Sequence, residues 1–192
     1  MELLFATNNK HKIDEIRAIL GPDYTVRSMA EIGFTESVEE DATTFEGNAL
    51  LKAQAIYSRF HIPCFSDDSG LEVTALNNEP GVYSARYAGE QGNHKKNREK
   101  LLAELLNKDS RKAQFRTVIC YIDPNGNDHY FEGIIHGEIA TAERGSNGFG
   151  YDSLFIPQGH TRTFAEMSED EKNSISHRAL AVRKFSAFLR EQ

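Results

Sequence analysis

Apolar and polar positions along this chain switch between a two-residue and a 3.6-residue period, which predicts alternating strands and helices. Residues 2–6 (ELLFA) read as a short buried strand, followed at once by the polar turn TNNKHK. Behind that turn Ile13, Ile16, Ile19 and Leu20 recur on one helical face, and Gly21-Pro22 stops the helix. A strand is predicted at 24–28. The acidic run ESVEED then leads to Thr43-Thr44-Phe45-Glu46, a capping box opening a helix through about residue 60. Residues 64–66 begin a strand that delivers two adjacent carboxylates, Asp67 and Asp68, at its end. A helix over 93–106 is expected to bury Leu101, Leu102, Leu105 and Leu106. Strands at 115–122 and 128–140 are joined by the hairpin signal Pro124-Asn125-Gly126-Asn127. After the glycine-rich stretch GSNGFGYDS come a short apolar run at 154–156, a helix capped by Ser168, and a last helix burying Leu180, Ala181, Phe185, Phe188 and Leu189. Strands and helices in this order imply an α/β fold on a mixed sheet.

The 192 residues suffice for one domain, or one domain with a lobe, around a real core. Lys and Arg number 22 against 29 Asp and Glu, a net charge of −7. That balance argues against broad nucleic-acid or anionic-membrane binding, yet allows a small polyphosphate in a locally basic cleft. Cys64 and Cys120 form no metal or disulfide pattern and read as buried thiols of a reducing compartment. No leader segment or membrane-length apolar run is read, so a cytoplasmic location is expected.

Two adjacent negative charges repel and cost stability where they are desolvated, so Asp67-Asp68 implies a positive partner. The acidic residues fall in two clusters, Glu36, Glu39, Glu40 and Asp41 in one and Asp67, Asp68 and Glu72 in the other. One carboxylate from each would suit Mg²⁺, which takes hard oxygens and leaves room for water and phosphate. Read alone, ESVEED is a solvated acidic loop more readily than a ligand cluster, and DDSG is a turn or cap. The complementary cations are Lys10, Lys12, Lys52, Arg86, Lys172, His177 and Arg178. Strand, polar turn and helix at 2–20 is a layout that aims backbone N–H groups at an anion. In the glycine-rich stretch, Phe149 and Tyr151 offer stacking faces and Asp152 a polar contact, or else the aromatics plug the core. No P-loop, nucleophile elbow or kinase signature is present.

The segments ATNNKHK, VEEDATTFEGNALLKA, FSDDSGLEV, PGVYSARYAG, GFGYDSLFIP and FAEMSEDEKNSISHRAL, in that order, resemble the inosine triphosphatase family of noncanonical purine nucleotide pyrophosphatases. The resemblance runs from Thr7 to about Leu180. It departs mildly at Asn8 and Lys10-His11 and at Asp41-Ala42. It implies an elongated, two-lobed α/β fold with a long central mixed sheet flanked by helices, a single domain with its cleft between the lobes. It also implies Mg²⁺, a homodimer, and hydrolysis of ITP, dITP or XTP to the monophosphate and pyrophosphate. Residue by residue, Asp68 matches the proton acceptor and a metal ligand, and Glu39 the other metal position. Thr7, Asn8, Asn9, Lys10, His11 and Lys12 match the phosphate-binding turn, and Ser69 matches a substrate contact. Phe149, Gly150, Tyr151 and Asp152 match the base-binding segment, with Lys172, His177 and Arg178 beside the base.

On this reading Asp67 and Asp68 tolerate each other because Mg²⁺ and a cationic cleft offset them, and Lys12 and Lys52 stabilise the departing pyrophosphate. Two alternatives stay open at this point: a related enzyme acting on pyrimidine or modified-base triphosphates, and a non-catalytic nucleotide- or RNA-binding module.

Overall fold

In the computed structural model, which describes residues 1–192, a mixed sheet is flanked by helices. The strands are β1 (Glu2–Phe5), β2 (Thr25–Ser28), β3 (Cys64–Val73), β4 (Glu79–Pro80), β5 (Lys112–Ile122), β6 (Asp128–Ile139) and β7 (Phe155–Pro157). Their order is β2-β1-β3-β5-β6-β7, with β4 paired to β3. β1 runs parallel to β2 and β3, while β4 on β3 and β7 on β6 are antiparallel. The helices are α1 (Lys10–Leu20), α2 (Phe45–Phe60), α3 (His94–Leu105), α4 (Glu169–Ile175) and α5 (His177–Arg190). None is long and apolar enough to cross a membrane.

The chain divides into two compact units. Unit 1 comprises Met1–Asp68, Thr117–Gly133 and Arg178–Gln192. The pleat of its strands sorts side chains into two cores. Leu3, Phe5, Phe65 and Ile119 pack with Ile13, Ile16 and Leu20 of α1 and Ala181, Phe185 and Leu189 of α5. Leu4, Ala6, Cys64 and Cys120 pack instead with Ala49, Ala53 and Ile56 of α2. Helices therefore cover both faces of the sheet here, as parallel strands require. Asn9 caps α1 by accepting the Lys12 N–H at 3.2 Å, and left-handed Gly21 ends it. The cap of α2 is Thr44 rather than the expected Thr43, accepting from the Gly47 N–H at 3.0 Å.

Unit 2 comprises Ser69–Arg116 and Ile134–His177. Its core joins Leu71, Val73, Phe115, Ile139 and Phe155 of the strands to Leu101 and Leu105 of α3 and to Phe164 and Met167. Leu106, expected on the buried face of α3, lies one residue past its end and is 78% exposed. Ser168 caps α4 as expected.

Leu101→Ala should cost about 2–5 kcal/mol in urea unfolding, the range for truncating a fully buried leucine. Leu106→Ala should stay within about 0.5 kcal/mol of the parent. Equal losses at the two positions would contradict this assignment of the α3 face.

Candidate active site

The two carboxylates stand in the middle of the ten-residue strand β3 and not at its end. Successive side chains on a strand point to opposite faces. Asp67 shares the parity of Phe65 and faces α1 and α5, whereas Asp68 shares the parity of Cys64 and Ser66 and faces α2. The Ser66 hydroxyl donates to the Ala49 carbonyl on that same helix. Neighbours in sequence are thus separated by the sheet itself.

Asp67 is fully buried, and its Oδ1 accepts from Lys12 Nζ at 3.1 Å and its Oδ2 from Arg178 Nε at 3.3 Å. Arg178 also donates through Nη1 to Glu15 of α1. The charges along Glu15, Arg178, Asp67 and Lys12 alternate in sign. Burial alone favours the neutral acid at Asp67, but Lys12, Arg178 and Lys52 outweigh it and hold the carboxyl well below its ordinary range. The cationic half of the expected charge balance is therefore present at Asp67, where Lys12, Arg178 and Lys52 offset the carboxylate without a bound metal. Burial also lowers the Lys12 ammonium, against the opposing pull of Asp67.

Asp68 has a different environment. Asn48 Nδ2 donates to its Oδ2 at 3.2 Å, and Lys52 Nζ stands 4.0 Å from its Oδ1. Burial raises its carboxyl from 3.8 to about 6, and Lys52 and Lys12 offset only part of that. Lys52 Nζ is held more closely by Glu40 Oε1 at 2.5 Å and by the Asp67 carbonyl at 2.6 Å. Burial opposes charge on Lys52, yet Asp68 and Glu40 more than compensate and raise it.

In the first turn, Thr7 is buried and its hydroxyl accepts from the Asn9 N–H at 3.2 Å, while Asn8, Asn9, Lys10 and His11 are exposed. On the acidic loop the structure brings Glu40, half-buried, to Lys52; Glu39 is exposed and pairs with no cation.

Unit 2 holds the remaining candidates. Ser69 is half-buried on β3 directly after Asp68. The loop 145–153 turns through left-handed Gly148, where a Cβ would meet Asp152 Oδ2 at 2.1 Å, so only glycine fits. Asp152 Oδ2 accepts from the Phe149 N–H at 3.1 Å and from Lys172 Nζ at 2.7 Å, with both side chains of the ion pair buried. Lys172 Nζ also lies 4.9 Å from the Phe149 ring centre, and Phe149 and Gly150 remain half-buried. Tyr151 belongs to the core, its hydroxyl donating to the Ser84 carbonyl at 2.7 Å. His177 is buried and stacks on Phe115 at 4.7 Å.

The Ham1 family model matches residues 3–188, almost the whole chain. This chain belongs to the Ham1 family. A dITP/XTP pyrophosphatase of Porphyromonas gingivalis is 56% identical over 98% of this chain and 97% of its own length. One of Bacillus subtilis is 47% identical over 98% and 96%. The solved Ham1 protein of Staphylococcus aureus superposes with a TM-score of 0.90 at 44% identity, covering 100% of this chain and 99% of that one. The resemblance read from six motifs is thereby borne out, and so is the α/β fold with its mixed central sheet.

Two polar residues at this Ham1 site escaped the sequence reading. Asn48, 1% exposed, accepts from the Ala42 N–H at 3.0 Å while donating to Asp68, and so ties the end of the acidic loop to β3. Its signal was a polar side chain on the apolar face of α2. Glu15 anchors Arg178 from 163 residues away, which no local pattern announces. No group of three or more His, Cys, Asp or Glu side chains converges in this chain, so the protein alone offers no complete metal shell. Mg²⁺ usually takes one or two protein carboxylates and fills its octahedron with water and phosphate. Glu40 and Asp68, facing the same ammonium, are such a pair. The donor set fits that ion.

The raised Asp68 carboxyl has a consequence for stability. Folding favours its neutral form, so the contribution is intact below about pH 4 and is lost as pH rises through about 6. Two pKa units correspond to roughly 3 kcal/mol. Asp68→Asn should therefore stabilise the protein at pH 8, without divalent cations, by about 1–3 kcal/mol in urea unfolding, and the gain should vanish near pH 4. A variant no more stable than the parent at pH 8 would contradict this account.

Proposed function

We propose that this chain is a nucleoside-triphosphate pyrophosphatase that hydrolyses the noncanonical purine nucleotides ITP, dITP and XTP to the monophosphate and pyrophosphate. The observation that carries the reading is Asp68: a carboxylate kept basic by burial, on the opposite side of β3 from its permanently paired neighbour, with Lys52 close by. The names of the P. gingivalis and B. subtilis relatives supply the substrate class.

Asp68, with Glu40 or Glu39 of the acidic loop, would hold Mg²⁺. When bound, that ion supplies charge neutralisation at the phosphate oxygens. Asp68 takes a proton from water as the water oxygen attacks the α-phosphorus, and the bond to the α–β bridging oxygen breaks. Lys12 and Lys52 stabilise the negative charge that leaves with pyrophosphate. The first turn of α1, capped by Asn9 and braced by Thr7, presents backbone N–H groups to the phosphates.

Base selection falls to unit 2. Phe149 offers a stacking face, and Lys172, fixed by Asp152, offers an N–H donor. A 6-oxo purine can accept from that donor, whereas the amino group of adenine leaves it unpaired, and an unpaired buried donor is strongly discriminating. The same reading takes the working form as a cytoplasmic homodimer that clears deaminated nucleotides from the pool.

A pyrophosphate-release panel of ITP, dITP, XTP, ATP, GTP and pyrimidine triphosphates, with and without Mg²⁺, tests the proposal. The first three should be preferred, and only with the metal. Preference for pyrimidines, or tight binding with no hydrolysis, would overturn it. Asp68→Asn should lower kcat by about 10²–10⁴-fold, the scale of a lost general base. More than a few per cent retained activity would remove Asp68 from that role. Phe149→Ala should raise KM for ITP by about tenfold, the worth of roughly 1–3 kcal/mol of base stacking. An unchanged KM would make Phe149 a packing residue only.

A further inference from the structure

The Lys52 ammonium is gripped as a metal ion would be. An ammonium has three donors, and three oxygens of unit 1 face this one: Glu40 Oε1 at 2.5 Å, the Asp67 carbonyl at 2.6 Å and Asp68 Oδ1 at 4.0 Å. The Lys52 side chain is about nine-tenths buried, so water does little to satisfy it. The other two cations of the cluster, Lys12 and Arg178, are committed to Asp67 on the opposite face of β3. Lys52 is therefore the nearest counter-charge to Asp68, with Lys12 contributing from farther away. It serves Asp68 incompletely, since 4.0 Å exceeds hydrogen-bonding distance.

A divalent cation that reached Asp68 and the acidic loop would compete for the same Glu40 oxygen and place a second positive charge beside the ammonium. At these separations like charges repel strongly in a partly desolvated site. We propose that Lys52 is a built-in stand-in for the divalent ion, and that metal binding expels its ammonium from Glu40 and delivers it to the phosphates. The inference rests on the metal assignment above and adds an order of events. Glu40 changes partners from Lys52 to the ion, and Lys52 is free for the substrate only once the ion is bound. The metal thus licenses the phosphate-binding lysine, so nucleotide without metal meets a site whose cation is still engaged.

The test uses nucleotide-free protein and so does not depend on hydrolysis. In the unaltered chain the Lys52 ammonium should give a protected ¹⁵Nζ resonance that moves or broadens as Mg²⁺ is added, while that of Lys12 stays. Lys52→Met should tighten Mn²⁺ binding by about tenfold, whereas Lys12→Met, which removes an equal charge on the other face, should change it far less. A Lys52 resonance indifferent to saturating Mg²⁺, an unchanged Mn²⁺ affinity in Lys52→Met, or equal tightening in both variants would overturn the proposal. If Lys52→Met tightens Mn²⁺ while the parent hydrolyses no triphosphate, the exchange stands and the pyrophosphatase reading falls. If hydrolysis holds and Mn²⁺ affinity does not move, the reverse is true.

Discussion

The arrangement of unit 1 depends on the two-residue repeat of a single strand. Because side chains alternate across β3, Asp67 and Asp68 point to opposite faces and acquire separate electrostatic surroundings. Asp67 is enclosed by Lys12 and Arg178 and stays ionised as a structural anion. Asp68 accepts from the Asn48 amide and has the Lys52 ammonium farther off, and burial leaves its carboxyl with a raised affinity for protons. Two identical residues take two roles, and the environment alone separates them. Replacing one partner of the buried Asp67 group would strand a charge in the interior, which generally costs about 3–5 kcal/mol. Within this group Asp67 holds both lysines, Lys12 through its carboxylate and Lys52 through its backbone carbonyl.

The same logic governs unit 2 on a smaller scale. Asp152 fixes the glycine-rich loop through the Phe149 N–H and fixes Lys172 through an ion pair, so one carboxylate positions both a ring and a donor. Gly148 is obligatory because the Asp152 oxygen fills the space a Cβ would need. In both units a buried acid orients a lysine.

Much of this was legible in the sequence. The apolar periods located α1 and α5, the capping-box pattern located α2 with its cap one residue later than expected, and Ser168 caps α4 as its spacing implied. The turn at Pro124–Asn127 joined β5 and β6 as its residues require. What the sequence concealed has a common cause in distance along the chain. Arg178 reaches Asp67 across 111 residues and Glu15 across 163, and no local pattern encodes either contact. The strand containing Asp67 and Asp68 looked finished at Ser66 because charged residues seldom occupy a strand interior without partners, and those partners lay elsewhere. Leu106 looked buried by period alone, but α3 had already ended. Within the acidic loop, spacing could not tell Glu39 from Glu40; the position of Lys52 separates them.

The division of labour between the two aspartates is measured most directly by following both carboxyl carbons by NMR from pH 3 to pH 9 in the protein without divalent ions or nucleotide. The account predicts that Asp68 titrates near pH 6 and that Asp67 remains ionised throughout the range in which the protein is folded. If the two carboxyls titrate together, or if Asp67 takes up the proton first, the separation imposed by β3 is not what sets their chemistry.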